Sequence, residues 1–458
     1  MRKILPKTLQ ELAHRSPAPL YAVGGSVRDT LAGLTPLTGE RDWDICSPMP
    51  ADTFVKIAQE NGLAIRSVFK NTGTVKLQDN AGEEYEYSSF RSDKYVRGTH
   101  TPVEISFTSD INLDARRRDF TANAVYYDIK NGTYVDPLGG IPAIREKRLT
   151  TVAPAEKVFG EDGLRLMRLA RQAAQLGFTP DGECLHGATK NAALLDDVTP
   201  ERVFAELCAL LRADGKYGVA NGQYAGLCLL DKTRVLDRIL PELTLGRGMA
   251  QRADFHKYDV LEHSLRAVSY APTEVRFAAL LHDVGKPFCT LRDGNSFAHP
   301  EEGARIAGEI LSRLKAPKRL AARTAELIGL HMYDFDCKTG ENKLRRFFVC
   351  NYPLLEELLA LKQADFSACT DDTSVAPTVG KWRELLSKIR AENAPLTRKE
   401  LAVTGKDLLD TGLPPAHIAE LLQRLLLHAV VKPQDNAKPR LIKLALGEEK
   451  SLRARATE

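Results

Sequence analysis

The spacing of the hydrophobic residues changes near residue 155, and this change constrains the fold more than any other feature of the chain. Before it, short apolar runs such as PLYAV, TVKLQ and VEISF alternate with turn residues, which predicts short strands. After it, apolar residues recur at helical spacing, as in TPERVFAELCALL, which predicts amphipathic helices. We therefore expect an α+β protein with a mixed α/β part first and an all-α part after it.

The composition is that of a globular chain. Hydrophobic residues make up 43% and charged residues 27% of the 458 positions, which excludes disordered and collagen-like proteins. No apolar run reaches the roughly 18–20 residues of a membrane helix, and the N-terminal segment lacks the apolar core of a signal peptide. The eight cysteines form no C-x-x-C pair, which predicts reduced thiols. We expect a cytoplasmic protein with no membrane partner.

The C-terminal region is basic. From Lys381 to Glu458 it carries 15 basic and 10 acidic residues, whereas the whole chain has a net charge of only +4. A basic region of this kind is typical of proteins that bind a polyanion such as RNA, and it is equally typical of a solubilising tail.

Two motifs in the first part have the residue types of a phosphate and metal site. A predicted strand ends at Gly24 and Gly25 before a helix, which offers backbone N–H groups to a phosphate, and Arg28 can add bidentate contacts. Asp42 and Asp44 have the strand spacing that places both carboxylates on one face, where they match the oxygen ligands of Mg²⁺. Each motif alone is also compatible with a tight turn or an exposed polar strand.

The segment EDGLRLMRLAR predicts one continuous helix from Glu161 onward. Asp162 and Arg165 are three residues apart and should lie side by side on it. Arg168 and Arg171 follow at further steps of about 60° around the helix, so that Asp162 and Arg171 begin on opposite sides. The alternative interpretation is a basic helix that faces solvent.

Taken in order, the motifs resemble those of the class II tRNA nucleotidyltransferases, the CCA-adding enzymes and their bacterial poly(A) polymerase relatives. They are GGSVRD, RDWDI, RRDFTANA, DPLGG, EDGLRLMRLAR and TPERVFAELCALL, within residues 18–212. The resemblance implies a polymerase-beta-like nucleotidyltransferase head (1–150), a helical nucleotide-recognition neck (151–215), a helical body with an HD domain (216–370) and a basic, tRNA-binding helical tail (371–458).

The resemblance also implies a reaction: C, C and A are added to the 3′ end of tRNA from CTP and ATP, without a nucleic-acid template, and pyrophosphate leaves. In it, Asp42 and Asp44 are the catalytic carboxylates and hold two Mg²⁺ ions. Asp162 and Arg165 recognise the edge of the incoming base. The other implied nucleotide-binding residues are Gly24, Gly25, Arg28, Arg118, Arg168 and Arg171. Glu86 lies where a third acidic residue is expected.

One segment departs from the family pattern. The family has Y-x-D-x-R-H-P where this chain has Tyr95-Val-Arg-Gly-Thr-His-Thr-Pro, with Arg97 and Thr99 at the Asp and Arg positions. In the family this segment helps the change from adding C to adding A. A CC-only enzyme therefore remains as an alternative. A poly(A) polymerase remains as another, because the resemblance covers a catalytic head that the two kinds of enzyme nearly share.

A second candidate site is indicated by histidines between 256 and 331. Imidazole and carboxylate together suit a divalent metal. The pattern resembles an HD phosphohydrolase domain, which implies a metal of unspecified identity held by His263, His282, Asp283 and Asp365. His299 and His331 could complete a second metal position. A phosphatase or 2′,3′-cyclic phosphodiesterase as the main activity is a further alternative, and the oligomeric state is not indicated.

Overall fold

The computed structural model describes residues 1, 4–39, 41–96 and 102–456. They form two compact units: Met1–Leu245 with Glu309–Lys318, and Gly246–Gly308 with Arg319–Glu458. The predicted α+β class, with a mixed sheet followed by helices, is confirmed. Across the described residues, none of the helices combines the length and the apolar character needed to span a bilayer.

The strands all lie in the first unit. They are β1 (Tyr21–Val23), β2 (Trp43–Ser47), β3 (Ala64–Phe69), β4 (Thr74–Gln78), β5 (Glu84–Ser89), β6 (Arg91–Lys94), β7 (Glu104–Phe107), β8 (Tyr126–Asp128), β9 (Thr133–Val135), β10 (Arg148–Leu149) and β11 (Thr179–Pro180). Seven of them form one mixed sheet in the order β3-β4-β5-β2-β1-β8-β9, and the pairs β6–β7 and β10–β11 form two small sheets.

The apolar runs named above predicted β1, β4 and β7, and β8 and β9 form a hairpin across the turn that contains Asn131 and Gly132. The strands β3 and β6 were not predicted. In β3 no side chain is fully buried, and β6 has the polar sequence RSDK, so neither has the alternating apolar pattern that marks a strand. Backbone pairing with neighbours defines both strands.

The sheet register places the carboxylates of the first motifs near the glycine turn. β1 runs antiparallel to β2 with Val23 opposite Asp44, and β2 runs parallel to β5 with Asp44 beside Glu86. Gly24 therefore follows β1 at the point where Asp44 enters the sheet. Beneath this edge, Val23 packs in a core cluster with Cys46.

Thirteen α-helices lie wholly in the first unit within the described residues. They are α1 (Lys7–Arg15), α2 (Gly25–Leu31), α3 (Ala51–Glu60), α4 (Ile111–Arg116), α5 (Gly140–Arg145), α6 (Ala155–Glu161), α7 (Leu164–Leu176), α8 (Gly182–Asn191), α9 (Pro200–Leu211), α10 (Asp214–Tyr217), α11 (Gly222–Lys232), α12 (Leu236–Ile239) and α13 (Pro241–Thr244).

The prediction of one helix through EDGLRLMRLAR was wrong. α6 ends at Glu161, Asp162 has an extended backbone, and α7 begins at Leu164. The break accompanies a close approach of another segment, because a Cβ atom on Gly163 would lie 2.5 Å from the backbone oxygen of Leu194. Asp162 and Arg165 are therefore not neighbours on one helix face.

The second unit is built from helices, two of which belong in part to the first unit. They are α14 (Val260–Tyr270), α15 (Arg276–Leu281), α16 (Lys286–Asp293), α17 (His299–Arg313), α18 (Lys318–Leu330), α19 (Glu341–Cys350), α20 (Leu355–Thr370), α21 (Pro377–Ala391), α22 (Gly405–Leu409), α23 (Ile418–Ala429) and α24 (Lys438–Ala456).

The His282-Asp283 pair lies in the turn between α15 and α16. Pro287 at the start of α16 explains the interruption. In a continuous helix its ring would clash with the carbonyl of Asp283, and its missing N–H would leave that carbonyl unpaired. The turn directs both side chains toward the centre described below.

Candidate active site and candidate metal centre

A cavity of about 400 Å³ in the first unit is lined by all ten residues of the head and neck that were predicted to be catalytic or to bind the nucleotide. They are Gly24, Gly25, Arg28, Asp42, Asp44, Arg118, Asp162, Arg165, Arg168 and Arg171. The helix break explains how Asp162 and Arg171 meet there, although a continuous helix would have placed them on opposite sides. The lining contains eight basic and four acidic residues, so its net charge suits a polyphosphate.

The acidic part of the cavity lies at the start of β2. Asp42 precedes the strand and Asp44 is within it. Gly24 has a φ of +77°, and a Cβ atom there would lie 2.8 Å from the Oδ2 atom of Asp44, so this carboxylate needs a glycine beside it. The pKa of Asp44 is raised to about 6, mainly by burial and also by the carboxylates of Glu86 and Asp42, while two nearby arginines oppose the rise. This concentration of negative charge fits a divalent cation.

Glu86 lies beside Asp44 on the neighbouring strand but makes a different contact. Its carboxylate is 3.6 Å from the Nζ atom of Lys76, and its side chain is half exposed. In the described part of the chain it is not among the residues that line the cavity. Its role as a third acidic residue stays a prediction.

Arg28 is buried at the cavity wall and is held by other side chains. Its Nε and Nη2 atoms donate to Oδ1 of Asp29 at 2.9 and 2.7 Å, and its Nη1 atom donates to Asn123 at 2.7 Å and to Gln172 at 3.2 Å. The edge that could bind a phosphate in a bidentate manner therefore binds Asp29 in this structure. Tyr217 also donates to Asp29, on its Oδ2 atom.

Arg118 is held by a buried carboxylate. Its Nη2 atom is 3.1 Å from Oδ2 of Asp114, which also accepts a hydrogen bond from Tyr126 at 2.7 Å. Burial opposes the charge on Asp114, but Arg118 and Arg117 outweigh it and lower its pKa to about 2. The guanidinium thus keeps its place and its charge.

Arg168 is positioned by Asp119, a residue of the RRDFTANA motif. Its Nε atom donates to Oδ2 of Asp119 at 2.8 Å, while Asn123 and the Phe120 amide donate to Oδ1, each at 2.8 Å. Burial disfavours the charge on Asp119, yet Arg168 and these hydrogen bonds hold its pKa well below the usual value. The carboxylate is therefore ionised and fixes the arginine.

Asp162 and Arg165 reach the cavity from either side of the helix break. Asp162 accepts a hydrogen bond from the Leu164 amide at 3.0 Å. Arg165 is buried, and its Nη atoms donate to the carbonyls of Val158 and Arg117, each at 2.9 Å. Its Nη1 atom also donates to Glu161 at 3.0 Å, and its guanidinium lies 5.6 Å from the centre of the Tyr95 ring.

Arg171 lies further along α7, where its Nε atom donates to Glu206 at 2.5 Å and its Nη1 atom to Gln175 at 3.0 Å. The unusual positions Arg97 and Thr99 lie outside the described residues.

Not every motif contributes to the cavity. In DPLGG, the carboxylate of Asp136 accepts hydrogen bonds from the amides of Gly140 at 2.7 Å and Ile141 at 2.8 Å. It therefore caps α5, which is a structural role.

The four predicted ligands of the HD site converge in the second unit. The Nε2 atom of His263 is 3.1 Å from Nε2 of His282, 3.0 Å from Oδ1 of Asp365 and 3.5 Å from Oδ2 of Asp283. Both histidines and Asp283 are buried. Although burial opposes the charge, Asp283 and Asp365 raise the pKa of His282 to about 10. Without a metal, a proton therefore occupies this position.

His299 and His331 form a second group around the other oxygen of Asp283. Their Nδ1 atoms are 2.6 and 2.7 Å from the carbonyls of Ser296 and Ile328. Carbonyls only accept, so each Nδ1 atom donates and each neutral ring presents an Nε2 lone pair. The two Nε2 atoms are 3.2 Å apart, and that of His299 is 3.3 Å from Oδ1 of Asp283. Three lone-pair donors thus face one position, which fits a cation.

Three family models match successive parts of the chain. "Poly A polymerase head domain" matches residues 20–150, "Probable RNA and SrmB- binding site of polymerase A" matches 177–245, and "HD domain" matches 249–365. An A-adding tRNA nucleotidyltransferase of Deinococcus radiodurans is 32% identical over 428 residues, which cover 88% of this chain and 89% of that protein. The chain belongs to the tRNA nucleotidyltransferase family.

Another tRNA nucleotidyltransferase, the CCA-adding enzyme of Geobacillus stearothermophilus, is 30% identical over 403 residues, 86% of this chain and 84% of that protein. A crystal structure of the Bacillus stearothermophilus CCA-adding enzyme in complex with CTP has a TM-score of 0.66 and 23% identity, and the match covers 98% of each chain. That likeness confirms the fold.

Several residues that line the cavity of this tRNA nucleotidyltransferase were not predicted from the sequence. They are Arg117, Asp119, Asn123, Gln172, Arg202 and Lys216. Asp119 and Asn123 belong to the RRDFTANA motif, so the motif itself was an available signal. Lys216 on α10 had no such signal, because only folding brings it to the cavity, where burial lowers its pKa.

Proposed function

We propose that this chain adds C, C and A to the 3′ end of tRNA, using CTP and ATP and releasing pyrophosphate. One observation carries the proposal. A single cavity contains paired carboxylates, the glycine turn before α2, and Asp162 with Arg165 among further basic side chains. These are the groups needed to bind a metal-bound triphosphate and to recognise a base.

The carboxylates would hold the metal. Asp42 and Asp44 offer the hard oxygen ligands that Mg²⁺ prefers, and burial raises the pKa of Asp44, so a bound cation would favour its ionised form. Mg²⁺ bound there would supply electrostatic stabilisation of the phosphate oxygens. Lys216 and the held arginines would bind the remaining phosphate charge.

Base selection would fall to Asp162 and Arg165. A carboxylate accepts from the N4 amino group of C or the N6 amino group of A, while arginine donates to the ring acceptors of either base. Three of the five N–H donors of Arg165 bind the chain itself, so its Nε–H and one Nη2–H are without partners among the described residues. G and U present the opposite pattern to this pair.

The rest of the chain would bind the tRNA. We propose the divisions 1–150 (head), 151–215 (neck), 216–370 (HD body) and 371–458 (tail), with phosphate contacts from the basic tail. Such contacts are sensitive to salt and independent of sequence. A tRNA-processing role also supports a cytoplasmic location.

The test is addition to tRNA transcripts that end before CCA, after C and after CC, with each nucleotide offered singly and together. We expect growth by C, C and A that then stops, and no growth with the Asp42→Ala, Asp44→Asn double variant. The control separates this activity from a contaminating enzyme.

The other outcomes of this experiment would distinguish the alternative functions. A-addition to CC-ended tRNA alone would match the name of the Deinococcus relative. Stopping after CC would connect the unusual Arg97 and Thr99 with a split activity. Long A tails would indicate a poly(A) polymerase, and no addition to any transcript would contradict the proposal.

A second function is favoured by the lone pairs that converge on Asp283. We propose that the HD centre binds one or two divalent ions and hydrolyses phosphate esters such as 2′,3′-cyclic nucleotides. Hydrolysis should require added or retained metal and should disappear in the His282→Ala, Asp283→Ala variant. Hydrolysis that persists in that variant would contradict the assignment.

A further inference from the structure

A third group of potential ligands lies beside the HD centre, and it contains a thiol. His256 precedes α14, His263 is within α14, and Cys369 is near the end of α20. One donor atom from each of them lies within 4.8 Å of the other two. Cys369 forms no disulfide and is half-buried, and its Sγ atom donates to the carbonyl of Asp365 at 3.4 Å. Neither His256 nor Cys369 belongs to the HD centre described above.

The two histidines contain nitrogen atoms that lack partners. The Nδ1 atoms of His256 and His263 are buried, and no hydrogen-bond partner exists for either within the described residues. His263 is fully buried, so the missing partner carries its full cost. In His282, His299 and His331, by contrast, Nδ1 faces a backbone carbonyl. The unpaired nitrogens are therefore particular to this group.

Hydrogen bonds connect the segment that contains His256 to the end of α20. The amide of Lys257 donates to the carbonyl of Cys369 at 2.9 Å. The carboxylate of Asp371, two residues further on, accepts hydrogen bonds from Tyr258, from Arg266 at 2.9 Å and from Tyr270 at 3.0 Å. These bonds hold the thiol and the imidazole close together before any ligand binds.

We propose that His256, His263 and Cys369 form a binding site for a borderline or soft divalent ion such as Zn²⁺. Two imidazoles and one thiolate are a ligand set that such ions prefer, and water can fill the fourth position. The ligating atoms would be Sγ and the two Nδ1 atoms, because Nε2 of His263 already faces His282 and Asp365. On binding, the thiol releases its proton to solvent.

This site would compete with the HD centre for His263. A metal on Nε2 of His263 leaves the ring proton on Nδ1, whereas a metal on Nδ1 leaves it on Nε2, 3.0 Å from the Asp365 carboxylate that would accept it. A neutral ring therefore serves one site at a time. The competition rests on the proposed metal-dependent HD activity, but the thiol site itself does not.

The direct test is a Co²⁺ titration of the metal-stripped full-length protein, followed by near-ultraviolet absorption. Wild type should show a thiolate-to-cobalt charge-transfer band that Zn²⁺ abolishes. Cys369→Ser should lose the band, and His256→Ala should weaken Co²⁺ binding there by more than about tenfold. The matched control Cys350→Ser, at an exposed cysteine, should keep the band. No band in wild type, or a band that survives in Cys369→Ser, would overturn the site.

The competition between the two sites for His263 is tested by comparing, for each protein, the rate of phosphodiester hydrolysis with Zn²⁺ and the rate without it. We expect Zn²⁺ to inhibit wild type and the Cys350→Ser control, and to inhibit Cys369→Ser less. Equal inhibition of all three would overturn the competition. If no protein hydrolyses the substrate, the proposed HD activity fails, while the absorption band still decides the thiol site.

Discussion

The head cavity and the HD centre use aspartates in opposite surroundings. In the head, Asp42 and Asp44 lie at an open cavity whose other charged groups are mostly basic. In the second unit, Asp283 is buried and imidazole nitrogens surround it at 3.3–3.9 Å. The head thus offers few ligands and leaves positions for substrate phosphates. The HD centre supplies enough ligands by itself, so the two sites should hold metal with very different persistence.

The largest expected effect separates the two chemistries. Asp44→Asn keeps the shape of the side chain but removes the charge that would hold Mg²⁺, so nucleotide addition should fall by about 10³-fold or more. The metal content of the HD centre should not change. Addition rates on tRNA and elemental analysis check both statements, and addition within tenfold of wild type would contradict the metal assignment.

Metal retention sharpens the same comparison. After dialysis without chelator, wild type should keep metal at the HD centre and none at the head. The His282→Ala, Asp283→Ala variant should lose this metal and still add nucleotides once Mg²⁺ is supplied. Elemental analysis measures the first effect. Loss of addition in the variant would instead show that the HD body supports the binding of tRNA.

A smaller effect concerns the arginines of the head. Asp119→Asn should release Arg168 and raise the KM for nucleotide by about tenfold, with a smaller change in kcat. Asp136→Asn is the matched control, because it removes a helix cap and should cost about 1 kcal/mol of stability without changing KM. Equal KM values in both variants would show that Asp119 is only structural.

The smallest effect is on stability. The pKa of Asp44 is about 6 in the folded protein, above its ordinary value of about 3.9, so the folded state binds more protons between these values. The metal-free protein should therefore lose about 1–3 kcal/mol as pH rises from 4 to 7 through this group. Asp44→Asn should be more stable than wild type at pH 7 and equal to it near pH 4. Thermal unfolding at several pH values checks this, and a pH-independent difference would contradict it.

Some elements of the fold could be predicted from the sequence, and others could not. The helix α9 follows from local hydrophobic spacing, which does not depend on distant residues. The break before α7 was not predictable, because it depends on the Leu194 carbonyl packed against Gly163. The polar strand β6 was missed for a similar reason, since its partner β7 defines it.

By itself, the sequence determined the α+β class and the order of the motifs, and through the family resemblance it named the ten residues of the head and neck that line one cavity. Its residue types carry this information, because carboxylates, glycines and arginines have fixed chemistries. Only the tertiary structure decided how these groups are held. Asp119 holds Arg168 in place, and Asp29 accepts hydrogen bonds from the Arg28 guanidinium. The Ile328 carbonyl determines which ring nitrogen of His331 is free. The first of these contacts joins residues far apart in the chain, and the other two depend on side-chain directions that packing sets, so local spacing carries no record of them.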